Sequence, residues 1–320
     1  EAARLDWDAG RYIEALTAHE ALLDDPAPAL EEEIALLTGE LFHVSEVTPD
    51  GRGVRWSPTG KLAAYERGAG SAWETIILEL RKGGLEEVGR VSGSGLVFSP
   101  VRDEAAYLAL DETPDLREAR AKLREDLAPT DRASFMRLRA ALASLDAEHT
   151  RVVVRDLASG GEVEVQTGGV AVQSLLYRPG SDELFLLGNR GGNAQTSHVW
   201  RVRRDGTVEV VTRAPGPKTN PFFAGGGSVL VYGSGAGTVS VTNLGSGDTR
   251  TLGGSRPVAS ADGWTLAFVG NDGGEGTVTV LPLRDFDAVP RVVARVPFPV
   301  AQMTSRGCTS CPCLLYTSDA

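Results

Sequence analysis

The sequence predicts an all-β fold: a β-propeller of four-stranded blades, with an N-terminal helical segment and an inserted helical hairpin. Three observations predict it. A phrase recurs five times, its copies are spaced like propeller blades, and turn chemistry falls at matching places between them. The phrase is clearest as Arg55-Trp56-Ser57-Pro58-Thr59-Gly60-Lys61-Leu62-Ala63-Ala64-Tyr65. It returns as Phe98-Ser99-Pro100 with Tyr107, Tyr177-Arg178-Pro179 with Leu186, Phe223-Ala224-Gly225 with Tyr232, and Ala259-Ser260-Ala261 with Phe268. In every copy the third position and the closing apolar residue are seven apart. Internal repetition of this kind fixes an architecture before any single residue is weighed.

The copies begin at residues 56, 98, 177, 223 and 259, giving steps of 42, 79, 46 and 36. The long step contains an insertion. The others lie near the period of about 40–50 that four-stranded blades require. Each phrase supplies a strand, a Pro/Gly or Asp-Gly turn and a second strand. Third strands are expected at 74–80, 151–157, 198–203, 238–244 and 277–283. Tight turns then lead to short outer strands at Lys82-Gly83-Gly84, Ser159-Gly160-Gly161, Arg204-Asp205-Gly206 and Ser246-Gly247-Asp248, where glycine supplies positive φ. The fifth unit has Arg284-Asp285-Phe286-Asp287 and no such glycine. Gly225-Gly226-Gly227 and the Gly233–Gly237 stretch read as turns, because neither has phosphate-loop spacing or opens a helix.

Residues 112–148 interrupt the β pattern within the second blade. Thr113-Pro114-Asp115 is a helix start, followed by Leu116, Ala119, Leu123 and Leu127 at helical spacing. Pro129-Thr130-Asp131 ends that helix and begins another, expected to bury Phe135, Leu138, Leu142 and Leu145. Two roles stand open for this hairpin: a decoration packed on the propeller, or a lid or docking element. The domain reading is therefore 1–45 helical segment, 46–300 propeller with insertion 112–148, and 301–320 unstructured tail. Within 1–45, Gly10 to Leu16 and Leu22 to Pro26 resemble the second helix of a tetratricopeptide repeat, but one such unit cannot bury its own face. A helix packed against the propeller is expected there. Five blades are visible and six to eight are expected in the parent, so the flank of the last blade is expected to be bare.

Composition narrows the function classes. The net charge of −11 argues against a nucleic-acid surface. No apolar run approaches the roughly 20 residues of a membrane-spanning helix. The only cysteines are Cys308, Cys311 and Cys313. The stretch from Cys313 to Ala320 resembles translated sequencing adapter, so the tail is read as foreign to the protein and the cysteines carry no metal or redox assignment. The chain begins with Glu1, and the native start is expected upstream.

No residue is assigned a catalytic, cofactor-binding or metal-ligating role. There is no G-x-S-x-G elbow. His19, His43, His149 and His198 are scattered without metal-ligand spacing, and the last two are read as blade-edge structure. Trp56, Trp73, Trp200 and Trp264 are read as packing between blades, with ligand stacking the rarer use. Asp205-Gly206 and Asp262-Gly263 are turn pairs first; a calcium site there needs more convergent oxygens.

The stretch Trp56 to Tyr65 resembles the W-S-P-D-G-K-x-[IL]-A-[FY] phrase of WD40-like repeats in TolB-like proteins and in the N-terminal propellers of prolyl-oligopeptidase-type (S9) serine peptidases. Thr59 replaces the usual aspartate here. The resemblance covers roughly 46–297. The lead-in from Ala35 to Leu41, running into Thr48-Pro49-Asp50-Gly51, looks more like the peptidase branch. That branch implies a secreted or periplasmic protein whose propeller gates and positions peptide substrates for a downstream α/β-hydrolase domain. The hydrolase domain and a peptide or protein are then the implied partners, with no cofactor, no nucleic acid and no membrane span. The alternative is a stand-alone TolB-like propeller that binds proteins or peptides. The acidic pair with which dipeptidyl peptidases hold a substrate amine has no counterpart here.

Overall fold

The computed structural model describes residues 5–6, 9, 11, 14–15, 48, 50–69, 72–81, 84–127, 131–191, 196–203, 205–235, 237–272, 275–296, 302–306 and 313–317. The chain forms two compact units, Glu1–Pro49 and Asp50–Ala320. In the first, Leu5–Asp6 and Glu14–Ala15 are helical, and Ala15 is buried. The rest of the expected helical segment, His19 and His43 included, lies outside the described residues.

The second unit holds five four-stranded antiparallel sheets, each made of strands consecutive in sequence. Sheet 1 is β1 (Arg52–Trp56), β2 (Leu62–Ala69), β3 (Ala72–Arg81) and β4 (Gly84–Ser92). Sheet 2 is β5 (Ser94–Phe98), β6 (Glu104–Leu110), β7 (Thr150–Asp156) and β8 (Glu162–Val165). Its helical hairpin, α1 (Pro114–Asp126) and α2 (Arg132–Glu148), joins β6 to β7. Sheet 3 is β9 (Val170–Tyr177), β10 (Leu184–Arg190), β11 (His198–Val202) and β12 (Val208–Val210). Sheet 4 is β13 (Lys218–Ala224), β14 (Val229–Ser234), β15 (Thr238–Asn243) and β16 (Thr249–Gly253). Sheet 5 is β17 (Ser255–Ala259), β18 (Thr265–Asp272), β19 (Glu275–Pro282) and β20 (Arg291–Val296). The sheets do not close into a ring.

Strand alternation explains how the sheets stack. In β10, Leu184 and Leu186 join Ala106 and Val152 of sheet 2, while Phe185 and Leu187 join Leu230 and Tyr232 of sheet 4. Ala64, Ile77 and Val91 meet Phe98 and Tyr107 between sheets 1 and 2, and Val231 and Val241 meet Leu266 and Phe268 between sheets 4 and 5. The middle strands are apolar on both faces because both faces are covered. Cutting a fully buried ring such as Phe185 to alanine costs about 3–5 kcal/mol in such a setting.

Both helices start as their sequences require. Thr113 caps α1 by accepting the Leu116 N–H at 3.1 Å, with Pro114 in the first turn. Asp131 caps α2 by accepting the Ser134 N–H at 2.7 Å, and the Ser134 hydroxyl accepts the Asp131 N–H in return. Leu116 and Leu138 are buried, but Phe135, expected inside, is 52 % exposed. Leu138 and Ala147 are the buried residues of α2, and nine positions apart they lie on opposite sides of the helix, so no continuous apolar stripe of α2 is covered.

The tail departs from expectation. β21 (Gln302–Arg306) and β22 (Cys313–Thr317) pair antiparallel, Gln302 opposite Thr317 and Arg306 opposite Cys313, so 301–320 is not wholly unstructured. β21 runs beside β17. The flank of sheet 5 is not bare either: Ala267, Val269 and Val278, which face away from sheet 4, are buried. Cys308 and Cys311 lie outside the described residues.

Candidate functional site: the axial cleft

The repeated phrase builds a turn and, beside it, a cleft wall. In the first copy the Ser57 N–H donates to the Leu62 carbonyl at 2.8 Å, and the Ser57 hydroxyl accepts the Leu62 N–H at 3.0 Å. Ser99 donates its N–H to the Glu104 carbonyl at 2.9 Å, and Ser260 exchanges the same pair of bonds with Thr265. The serine is thus a turn former. Strand alternation puts its two neighbours on a common side. Those neighbours are Trp56 and Pro58, and Phe98 and Pro100; in the third copy Tyr177 and Pro179 flank Arg178 in the serine's place, and all six line one cleft of about 1120 Å³ with Phe223 of the fourth copy.

The cleft runs between the first strands of sheets 1 to 4, the strands whose outer edges carry no ladder partner within their sheets. Trp56 is 54 % exposed there, which corrects its assignment to packing between blades. Trp200 does pack in the interior, with its indole N–H donating to the Gly188 carbonyl at 3.1 Å, and Trp264 packs against the core shared by sheets 4 and 5. Trp73 lies elsewhere, under the Arg52 guanidinium at 3.1 Å from the ring centre.

A bulge shapes the axial strand in sheets 1, 2, 4 and 5. Two residues of the first strand stand opposite one residue of the second, and that one is aromatic: Tyr65, Tyr107, Tyr232 or Phe268. The leading bulge residue has positive φ in each case: Gly53 at 64°, Gly95 at 66°, Asn220 at 46° and Arg256 at 52°. This is the glycine-type bulge, which bends a strand and raises its twist. Sheet 3 lacks the positive φ. There Leu186 replaces the aromatic, and the shift falls between Leu187 and Gly188. The closing residue of the phrase therefore marks a bulge partner, a meaning that sequence spacing does not carry.

The charges around the cleft are few. Lys218 is buried, and its ammonium donates to the carbonyls of Ala214, Pro215 and Gly216 at 2.7, 3.2 and 2.7 Å. Burial pulls its pKa down. It staples a loop rather than meeting solvent. Arg55 is exposed, and its side chain has no hydrogen bond or ion pair among the described residues. The Tyr177 phenol donates to Glu104 at 3.3 Å and is held well above its ordinary pKa, first by burial and then by that carboxylate.

A second cleft, of about 1000 Å³, lies between α2 and sheets 1 to 3, against Trp73, Ser94, Ala143 and Gln173. Three of its acids are held in ion pairs. Glu74 meets Arg67 at 3.3 Å, while Glu112 and Asp146 meet the buried Arg120 at 3.1 and 2.7 Å. Neither described histidine lines either of these clefts. His149 caps the C-terminus of α2, and His198 Nδ1 lies 2.6 Å from the Thr212 carbonyl. Asp262 accepts the Trp264 N–H at 3.0 Å and closes its turn. Among the described residues no three His, Cys, Asp or Glu side chains converge as a metal site would need, and no helix is long and apolar enough to cross a membrane.

Solved structures share the fold. An oligogalacturonate lyase in complex with manganese is 18% identical over 78% of this chain and 66% of that chain, with a TM-score of 0.51. The oligogalacturonate lyase of Vibrio parahaemolyticus is 14% identical over 77% and 66%, also at 0.51. TolB from Acinetobacter baumannii is 14% identical over 73% of this chain and 52% of its own, at 0.49. The chain has a β-propeller fold. It spans between half and two-thirds of the length of these structures. At such identities the likeness is one of fold. No protein-family model matches the chain, and no curated protein does.

Proposed function

We propose that this propeller is a binding scaffold that holds an extended segment of a partner protein in its axial cleft. The observation that carries the proposal is the placement of one repeated position: Trp56, Phe98, Tyr177 and Phe223 lead four copies of the phrase and all line the cleft. Aromatic and proline surfaces beside unpaired strand edges suit an extended peptide. The edges offer backbone hydrogen bonds, and the exposed Trp56 and half-buried Tyr177 and Phe223 offer ring surface to its side chains, while Phe98 backs the wall from the core between sheets 1 and 2.

Two settings fit such a scaffold. One is a stand-alone TolB-like propeller. The other is the gating propeller of an S9-type peptidase, in which the cleft is a passage to a downstream hydrolase domain; the lead-in sequence from Ala35 to Leu41, running into Thr48-Pro49-Asp50-Gly51, favours that setting. Reading the parent gene across the codon for Met303 separates them, because only the second continues into a G-x-S-x-G strand-turn-helix.

Panning the full chain against random displayed peptides tests the scaffold itself. Trp56→Ala is expected to weaken the selected peptides about tenfold or more. It should change unfolding stability by less than about 1 kcal/mol, because half of the ring already faces water. Equal binding by the variant would remove the axial cleft from the account.

A further inference from the structure

We infer that the axial cleft selects acidic peptides, with Arg55 as the group that pairs with the ligand's carboxylate; this rests on the scaffold reading above. Asp and Glu make up 43 of 320 residues, so a lining of twenty residues at the chain's average would hold two or three. The cleft lining holds none. It does hold two cations, in a chain of net charge −11.

The two cations differ in what they can do. Lys218 already spends its three donors on three loop carbonyls. Arg55 has no protein partner among the described residues, whereas most arginines on the sheets are matched with acids: Arg81 with Glu79 and Glu86, Arg151 with Asp111 and Glu164, Arg201 with Glu209. A guanidinium presents a planar fork of donors that fits a carboxylate. Arg55 precedes Trp56 on β1, so the two side chains leave opposite faces of the strand that borders the cleft, one offering charge and the other apolar surface. The remaining wall is largely apolar, with Val97, Leu175 and Phe222 as examples, which favours a peptide with hydrophobic side chains over a hydroxyl-rich sugar.

The test pans the full chain and its Arg55→Gln variant in parallel against random dodecapeptides. The expected result is a wild-type pool enriched in Asp or Glu beside apolar residues, and a variant pool that keeps the apolar residues and loses the acids. In the strongest wild-type peptide, replacing the selected Glu by Gln should weaken binding about fivefold at low salt, the size of an exposed ion pair. That difference should shrink at high salt. Identical neutral pools from both proteins would overturn the charge selection and leave peptide binding standing. An empty wild-type pool would instead overturn the scaffold reading, and this inference with it. Binding of trigalacturonate that needs Arg55, without any peptide pool, would overturn the peptide as the ligand class.

Discussion

Backbone conformation at single residues decides how the axial strands bend. Gly95 sits at φ 66°, and a Cβ there would lie 3.3 Å from the Leu108 side chain. Gly95→Ala should lower unfolding stability by about 1–2 kcal/mol through the left-handed backbone alone. Gly95→Asn should cost less, since asparagine tolerates that region and stands in it at position 220. Urea midpoints of the two variants check the order, and equal losses would mean that contact rather than φ sets the cost. The same scale shows what the sequence could tell. Gly60, Gly160, Gly206 and Gly247 were legible as turn glycines, and all have positive φ. Gly53 and Gly95 were not, because a bulge partner lies on another strand. Asn220 and Arg256 carried no signal at all. Trp56 was misread because it stands opposite Ala63, on the face of sheet 1 turned away from sheet 2, and in a set of sheets that does not close this face has no neighbouring blade to bury it.

At the scale of elements, the helical hairpin is held by one buried cation. Arg120 of α1 is 6 % exposed and bridges Glu112, just before the helix, to Asp146 of α2. Removing it takes away the cation that links Glu112 to Asp146 and opens the packing around Leu116. Arg120→Met keeps the packing volume and discards the bridge. Hydrogen exchange in α1 and α2 should quicken while exchange in β14 and β18 stays slow. Faster exchange throughout the sheets would show that the hairpin is part of the global core. Both helices and both caps were readable from Thr113-Pro114-Asp115 and from Asp131. The outward turn of Phe135 was not, because helical spacing reports a periodic stripe without saying which neighbour covers it. Strands were legible for a related reason: the third strands read at 151–157 and 238–244 appear as Thr150–Asp156 and Thr238–Asn243. The strands at 302–306 and 313–317 were missed because the phrase does not recur there.

For the molecule as a whole, the turn chemistry sets its response to acid. Asp156, Asp205 and Asp131 accept backbone N–H groups of Ser159, Thr207 and Ser134, and these bonds hold their pKa values below the ordinary carboxylate range. Asp262 is lowered first by the Ser260 hydroxyl, and Asp111 by the Arg151 guanidinium. A carboxylate whose folded pKa lies below its unfolded value of about 3.9 stabilises the fold fully above that value. The contribution disappears as pH falls through the unfolded pKa toward the folded one. These groups therefore leave stability flat between about pH 7 and 5 and erode it below about pH 4. Urea midpoints across that range check this, and a midpoint that held steady down to pH 3 would mean that the turn aspartates contribute nothing. Architecture was readable from the repeat; the cleft's chemistry was not, since it needs four phrase copies brought to one axis.

Hydrogen exchange of the full chain, with and without the strongest panned peptide, tests the central claim most directly. The account predicts slowed exchange along residues 173–177 and 218–223, whose strands line the axial cleft, and no change in α2. Protection confined to residues 92–94 and 140–147, at the cleft under the hairpin, would contradict it.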